Sequence, residues 1–309
     1  QILVRRTTPR FSRRDVERIT VATQGNPGLA LEIARLLPRG SPVGTGALGG
    51  LPVPESVRAL VAERLGGLPF SARALLVRIA VAGVPIRPDD ERVARAVERV
   101  GIAHVNPEGL VGFAHRLYES AVSASIPPDE RRRLHAIFAA TVTEVEGRAR
   151  HLALGATGPD ETTAAAIMEG SDAAIARGAA PVAADLAEVA WNLTPHDCEH
   201  VLPRALAAAH HHLSAGSVMD AIRIVDEVWP TLTGVLRGRA LMIKGDALMW
   251  GRSFSGAVRI FESALPFFAD DPASEAMTHV ALAFGHFQLG SDRAIVRRHA
   301  DEAIRAATR

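Results

Sequence analysis

The histidines of this sequence are the side chains that most readily suggest chemistry, because imidazole binds metals and transfers protons. His196 and His200 have the i, i+4 spacing of a helical metal site, but no glutamate follows His196 as in His-Glu-x-x-His. His210 to His212 are consecutive, so on a helix they point about 100° apart and cannot share one ion. His135 and His151 lie in different predicted helices. We therefore expect no functional metal site.

Nucleophilic and phosphate-binding motifs are absent from the sequence. There is no Gly-x-Ser-x-Gly elbow, and Cys198 lies in a repeat-helix context as a predicted packing residue. The Gly-rich stretch from Gly40 to Gly50 has no lysine and no Gly-x-x-x-x-Gly-Lys-Ser/Thr, whose lysine binds the β- and γ-phosphates. We predict no catalytic residue in this chain and no ATP hydrolysis by the chain alone.

The composition indicates a cytoplasmic protein of two or three modules. The chain has 309 residues, a net charge of +1 and one cysteine, so an intramolecular disulfide is excluded and a reducing compartment is expected. No apolar run is long enough to predict a membrane-spanning helix. The sequence begins at Gln1 without a methionine, and we expect it to be the interior of a longer protein.

The first 54 residues predict two helices and a linker. Ser12 is the expected N-cap of a helix around Asp15 to Ile19, and Gly25-Asn26-Pro27 breaks the helical pattern. A second helix is expected from Leu29 to Leu37. The Gly-, Pro- and Ser-rich composition of residues 41–54 predicts a linker.

Residues 55–126 predict three helices, a β-hairpin and a closing helix, which together make a winged helix. The helices are expected at 55–65, 71–81 and 89–100, and the strands at 102–105 and 110–113, around a tip at Asn106 to Gly109. His115 is expected to begin the closing helix, which Pro127 and Pro128 end. Asp129 and Glu130 then favour the start of another helix.

Residues 127–309 predict helical hairpins that stack as an α-solenoid with a concave surface. Gly178, Gly216, Gly251 and Gly290 separate pairs of apolar-periodic helices, at spacings of 38, 35 and 39 residues. Small residues such as Ala183, Ala221 and Ala257 are expected to let paired helices approach closely. Trp191, Trp229 and Trp250 are predicted to pack between hairpins, and an exposed one on the concave face would indicate a ligand or partner site.

Three motifs, in this order, resemble the large ATP-binding LuxR-type transcriptional regulators, which belong to the signal-transducing (STAND) class of P-loop NTPases. The first, residues 24–31, is similar to a Gly-x-Pro lid motif. The second, residues 51–58 with 63–65, is similar to the start of a winged helix. The third lies around the histidine at the junction and comprises Phe113, His115, Leu117, Pro127, Arg131, Arg132, Leu134 and His135.

This resemblance implies a nucleotide site for ATP or ADP. In that family the lid proline, here Pro27, packs on the adenine, and Gly25 lets the backbone approach. His115 corresponds to the histidine of a Met-His-Asp motif that contacts the β-phosphate, although Ala114 and Arg116 replace the flanking Met and Asp. Two alternatives stay open: an ordinary helix-breaking turn at Pro27, and a histidine that caps the closing helix or packs under the wing. Arg35 and Arg39 are weaker candidates for a phosphate sensor.

The sequence is therefore predicted to be mainly α, with a helical lid at 1–40, a linker at 41–54, a winged helix at 55–126 and tetratricopeptide-like repeats at 127–309. The resemblance implies the sensor part of a LuxR-type regulator, with an inducer or protein partner on the concave face, self-association, and DNA bound only through a domain outside this chain. The parent would be a slow ATPase switch. The alternative is a stand-alone helical-repeat adaptor that binds no nucleotide.

Overall fold

The computed structural model of the protein describes residues 13–36 and 52–309. Ser12, Arg39 and most of the predicted linker lie outside these ranges. The chain divides into two compact units, Gln1–Ala156 and Thr157–Arg309, here called the first unit and the repeat unit. The described residues are mainly helical and form one two-stranded sheet, which confirms the predicted fold class at that level. No described helix combines the length and the apolar character that a bilayer span requires.

The first unit contains eight described helices and the two strands. In chain order they are α1 (Arg13–Ala22), α2 (Pro27–Leu36), α3 (Glu55–Gly66), α4 (Phe70–Ala82), α5 (Glu91–Arg99), β1 (Ala103–Val105), β2 (Val111–Phe113), α6 (Arg116–Ser125), α7 (Pro128–Thr141) and α8 (Val145–Gly155).

The β-hairpin forms where the sequence predicts it, and side-chain hydrogen bonds stabilise its tip. Asn106 Oδ1 accepts hydrogen bonds from the backbone N–H groups of Glu108 and Leu110, at 3.1 and 2.8 Å. Gly109 has a φ of 77°, a conformation that glycine adopts without a steric cost. Val111 also forms an antiparallel bridge with Ile86, which lies between α4 and α5. Three chain segments therefore meet at this sheet.

Aliphatic side chains from most elements of the first unit share one core. Ile19, Leu76, Ile102 and Leu117 are almost fully buried within it. Burying each such side chain contributes on the order of 2 kcal/mol. Helix ends are fixed by local caps, such as the Asp90 carboxylate, which accepts from the Arg92 N–H at 2.8 Å at the start of α5.

The repeat unit consists of four helical hairpins. They are hairpin 1, α9 (Glu161–Ala176) with α10 (Ala180–Leu193); hairpin 2, α11 (Val201–Ser214) with α12 (Val218–Val228); hairpin 3, α13 (Gly234–Trp250) with α14 (Phe254–Ala264); and hairpin 4, α15 (Pro272–Gln288) with α16 (Arg293–Ala307). Short 3₁₀ segments, Trp229–Thr231 and Leu265–Phe268, follow α12 and α14.

One turn recurs in all four hairpins. A residue with positive φ, here called the turn residue, ends the first helix; these are Gly178, Gly216, Arg252 and Gly290. The next N–H donates to a carbonyl five residues back, as Ser217 does to His212 at 2.8 Å. The third turn residue is Arg252, because the predicted Gly251 has a φ of −74°. The spacings are therefore 38, 36 and 38 residues, more regular than the glycines alone suggest.

Positions counted from the turn residue carry similar side chains in each hairpin. Seven residues before it stands a small residue in every first helix: Ser171, Ala209, Gly245 or Ala283. Five residues after it, Ala183, Ala221 and Ala257 are completely buried in the first three hairpins, as the sequence predicts. Small residues at these contacts let the helix axes approach, so each hairpin packs closely.

Successive hairpins contact one another through their first helices and through each second helix with the first helix that follows it. Helix α11 contacts α13, and α13 contacts α15. The first helices therefore lie side by side along one face of the stack, here called the inner face, as in other helical-repeat arrays.

Candidate functional site

The Gly25–Pro27 turn connects α1 to α2 and is capped by its own residues. Gly25 has a φ of 78°, and a Cβ added there would meet no atom within 4 Å. Glycine is therefore favoured here by the backbone conformation and not by crowding from a neighbouring atom. Asn26 Oδ1 accepts from the Gly28 and Leu29 N–H groups at 3.0 and 3.2 Å. Pro27 is the first residue of α2 and its side chain is exposed, so its ring is open to a ligand.

His115 lies at the start of α6, where its ring caps the helix. Its Nδ1 accepts a hydrogen bond from the Leu117 N–H at 3.1 Å, and its ring lies 5.6 Å from that of Tyr118. With Nδ1 as acceptor, the neutral ring carries its proton on Nε2. That N–H is the one group of the half-buried imidazole left to donate to a phosphate oxygen.

The contacts that the structure gives these predicted nucleotide residues are local. Those of His115 are with Leu117 and Tyr118 of its own helix, and the Pro27 turn is held by Asn26. Arg35 is exposed in the last turn of α2. The geometry thus gives the turn and the histidine roles in helix capping, and the nucleotide assignment stays a prediction.

A row of equivalent side chains lies six residues before each turn residue, on the first helices of the repeat unit. The four positions hold Asp172, His210, Asp246 and Phe284, which are exposed except for the half-buried Asp246. Because α11 contacts α13 and α13 contacts α15, the row continues from one helix to the next. Sequence reasoning missed it because the row appears only when the hairpins are aligned on the turn residues.

Desolvation shifts the protonation of two members of this row. It lowers the pKa of His210 and raises the pKa of Asp246 to about 6. Near neutral pH the row therefore offers a neutral imidazole and a carboxyl group that protonates just below that pH.

Trp250 adds an aromatic surface beside Asp246. It is 64% exposed and follows Asp246 by four residues on α13, which places both side chains on the same side of the helix. Trp191 is buried, and Trp229 is covered by Arg237 and Lys244, whose charged groups lie 4.5 and 4.3 Å from its ring centroid. Trp250 is thus the tryptophan that a ligand can reach.

The three consecutive histidines point in three directions. His210 is exposed, His211 lies 3.1 Å from Ser171 Oγ of α9, and His212 Nε2 lies 2.7 Å from a carboxylate oxygen of Glu188 on α10. Their separate partners are inconsistent with a shared ion.

One group in the described part of the chain has metal-ligand types close together. Ligand atoms of Glu161, Cys198 and His200 lie within 4.8 Å of one another. However, the buried Arg204 guanidinium binds both oxygens of Glu161, at 2.6 and 2.7 Å. These hydrogen bonds lower the pKa of Glu161 to about 2. Since a fixed positive charge already occupies the carboxylate, the group is better described as an ion pair between hairpins 1 and 2 than as a cation site.

No protein-family model matches the chain, and no curated protein matches it. Among solved structures, the chain is similar to a Signal Transduction ATPase with Numerous Domains (STAND) protein with a tetratricopeptide repeat sensor from Pyrococcus horikoshii. The sequences are 12% identical, the TM-score is 0.41, and the match covers 99% of this chain. The chain spans about half, 52%, of that protein's length. A TM-score this low does not establish a shared fold, so membership of that class stays a proposal.

Proposed function

We propose that this chain is the sensor part of a nucleotide-switched signalling protein of the STAND class. Within that class, we propose that the protein is a LuxR-type regulator. The repeat unit would bind an inducer or protein partner on its inner face. The segment before it would respond to ATP or ADP held together with a P-loop domain. DNA would be bound by a further domain outside these residues.

The order of the modules carries this proposal. A two-helix segment with an exposed proline at 27 comes first. The module of residues 55–126 follows, whose last helix, α6, begins after His115. Four hairpins with the same turn come later in the chain. The sensor role is supported by Asp246 and Trp250 on the inner face. A carboxyl group with a raised pKa beside an exposed indole suits a ligand that has both hydrogen-bonding and apolar parts.

The winged-helix assignment of residues 55–126 belongs to this proposal, as do the lid, linker and repeat boundaries at 1–40, 41–54 and 127–309. Helices α3 and α4, the bridging residue Ile86, helix α5, the hairpin and α6 follow one another in the order that a winged helix requires. The α5 start carries Asp89, Asp90 and Glu91, which would repel DNA phosphates. Use as a switch element therefore fits this module better than DNA binding.

Nucleotide binding by the full-length protein tests the proposal. We expect Pro27→Ala and His115→Ala each to weaken ADP or ATP binding by about 1 kcal/mol or more, nearly tenfold in Kd, in calorimetric titrations. Arg73→Ala, which removes an exposed arginine from α4, is the matched control and should leave the affinity unchanged. Because His115 also caps α6, His115→Asn, which keeps a capping acceptor, separates loss of the cap from loss of the phosphate contact.

A stand-alone adaptor that binds a protein and no nucleotide is the second candidate. It is favoured by the local roles of the Gly25–Pro27 turn and of His115, which explain these residues without a ligand. Unchanged nucleotide affinity in folded Pro27→Ala and His115→Ala proteins would reject the nucleotide site and support the adaptor.

A further inference from the structure

Asp246 is a half-buried carboxylate without a partner in the described chain. Burial raises the pKa of this group to about 6, and no charged side chain contributes to that shift. Within residues 13–36 and 52–309, the Asp246 carboxylate has no hydrogen bond and no ion pair. Removing a carboxylate from water without supplying a donor is costly, so a ligand that supplies one would be stabilised at this position.

The other half-buried acids of the repeat unit each have a cationic partner. Arg204 binds both oxygens of Glu161, and the Arg239 guanidinium lies 2.9 Å from the Asp271 carboxylate. The same holds for the remaining half-buried acids of this unit, which are Glu188, Asp220, Glu275 and Glu302. Asp246 is therefore the exception among described acids in a unit that otherwise compensates each half-buried negative charge.

The basic side chains of α13, the helix that carries Asp246, are engaged elsewhere. The charged groups of Lys244 and Arg237 lie 4.3 and 4.5 Å from the Trp229 ring centroid. Lys244 stands two residues before Asp246, and residues two apart on a helix do not face each other. Arg239 is held in the ion pair described above. The helix itself therefore supplies no counter-charge for Asp246.

The side chains that flank Asp246 on the inner face are aromatic or uncharged. Trp250 stands one helical turn further along α13 and is 64% exposed. Phe284 holds the equivalent position on α15, where it is 51% exposed, and His210 holds it on α11. Because desolvation lowers the pKa of His210, its ring is neutral near pH 7. Helices in contact lie roughly 9 Å apart, so one carboxylate stands here within apolar and neutral surface.

A ligand with one positive charge and an apolar body is complementary to this surface. An ammonium group supplies both the charge and the hydrogen-bond donors that the carboxylate lacks, and the face of an indole attracts a cation. An anion would be repelled by Asp246, and a neutral ligand would leave its charge uncompensated. The other carboxylate of the row, Asp172, lies two hairpins away. A single cation therefore fits better than a basic peptide with several charges.

We propose that the inner face at hairpin 3 binds a small organic amine. The ammonium group of the ligand pairs with Asp246 beside the indole of Trp250, and the apolar body of the ligand lies towards Phe284 on the next first helix. This inference rests on the proposed sensor function, and it names the chemical class of the ligand that the sensor binds.

Three probes of similar shape and different charge test the class of ligand. They are the cation 2-phenylethylamine, the neutral 2-phenylethanol and the anion 3-phenylpropionate. Each is titrated into the 309-residue chain near neutral pH, and binding is followed by calorimetry and by the fluorescence of the exposed Trp250. We expect saturable binding of the amine, roughly tenfold weaker binding of the alcohol, and still weaker binding of the anion.

Variants of the chain test which residues bind the ammonium group. Asp246→Asn keeps the shape of the side chain and removes its charge, so the amine should bind about tenfold more weakly and no better than the alcohol. Trp250→Leu, measured by calorimetry, should weaken the amine about fivefold. Glu262→Gln is the matched control, because it removes an exposed carboxylate from α14 of the same hairpin and should leave the affinity unchanged. Circular dichroism checks that each variant is folded.

The possible failures separate this inference from the function on which it rests. Equal or tighter binding of the alcohol or the anion would overturn the amine and keep a ligand site on the inner face. Amine binding that Asp246→Asn leaves unchanged would also overturn it. Tighter binding of a blocked tripeptide with a central lysine would assign Asp246 to a basic peptide.

The absence of saturable binding by any of these probes would overturn the amine site as well. The proposed function is decided separately, by the nucleotide titrations of the Pro27→Ala and His115→Ala proteins, which do not involve the inner face.

Discussion

In the first unit each structural element occurs once, whereas the repeat unit uses one hairpin four times. The core of the first unit joins α1, the β-hairpin and α6 through side chains such as Ile19, Ile102 and Leu117, and no position there has a counterpart. In the repeat unit every position has three counterparts. Where a residue differs in type from its counterparts, as Gly245 and Arg252 do, its substitution by the counterpart's residue measures how much that difference contributes to stability.

The largest effect is expected where the repeat unit packs most tightly. Gly245 stands where other first helices have Ser171, Ala209 or Ala283, and an added Cβ would fall well inside van der Waals contact with the Phe261 ring. Phe261 is completely buried and cannot turn away. We expect Gly245→Ala to destabilise the repeat unit by roughly 3 kcal/mol, because overpacking a full core forces side chains off their rotamers.

Urea unfolding followed by tryptophan fluorescence measures this effect selectively, since all three tryptophans lie in the repeat unit. Gly158→Ala is the control, because no atom lies within 4 Å of its added Cβ. Equal midpoints for the two variants would show that the hairpin tolerates a methyl group at residue 245 and that this position carries no special constraint.

A second comparison uses one buried histidine pair in each unit. His135 and His151 join α7 to α8 with their Nδ1 atoms 2.9 Å apart, and His279 and His299 join α15 to α16 at 3.1 Å. Each contact requires one ring to donate and the other to accept, so protonation of both rings would leave two donors facing each other. Burial lowers the pKa of all four histidines, to about 4 for His135 and for His299.

The sign of the pH dependence follows from this direction. Histidines of the unfolded chain bind protons near pH 6.5, while His135 and His299 of the folded protein resist protonation until about pH 4. Stability is therefore full above pH 6.5 and is lost as the pH falls towards 4. We expect His279→Leu with His299→Leu to change stability by less than about 1 kcal/mol at pH 8. At pH 4.5 the same variant should be roughly 2 kcal/mol more stable than wild type.

The charged groups near the second pair do not reverse this sign. Glu302 and Glu275 raise the pKa of His279 and Arg298 lowers it, but desolvation is the largest cause for both rings. The matched control is His135→Leu with His151→Leu, which should shift the circular dichroism transition and leave the tryptophan transition unchanged. Parallel pH profiles for wild type and the His279–His299 variant would refute the assignment.

Local signals explain how much of this fold could be predicted from the sequence. The ends of α4 and α5, the tip at Asn106 and the start of α7 at Pro128 follow from caps, turn residues and prolines close in sequence. The sequence also allows the capping role of His115 to be predicted as an alternative, because the cap involves only the N–H of Leu117, two residues further along the chain.

Contacts between distant residues could not be predicted in this way. Nothing in the sequence indicates that His135 and His151, 16 positions apart, form a pair, and Arg204 reaches Glu161 across 43 positions. The raised pKa of Asp246 depends on how neighbouring helices exclude water. Such features depend on how whole helices pack together, which the periodicity of a single helix does not predict.

The smallest expected effect tests the regularity of the repeat itself. Arg252 has a φ of 59°, whereas its three counterparts are glycines with φ between 67 and 83°. A side chain in this region costs about 1 kcal/mol relative to glycine. The one compensation in view is the Arg252 guanidinium 6.0 Å from the Phe254 ring, a weak contact at that distance. We expect Arg252→Gly to stabilise the repeat unit by about 1 kcal/mol in the tryptophan-monitored urea transition.

The reverse change sharpens this test, because Gly216→Arg places the same side chain in the same turn of hairpin 2. A Cβ at Gly216 would meet no atom within 4 Å, so the expected cost comes from holding a side-chain-bearing residue at positive φ. The reverse variant should lose about as much stability as Arg252→Gly gains. If both variants were destabilised, Arg252 would have a favourable contact that outweighs its backbone cost. The four turns would then be equivalent in shape and different in what stabilises them.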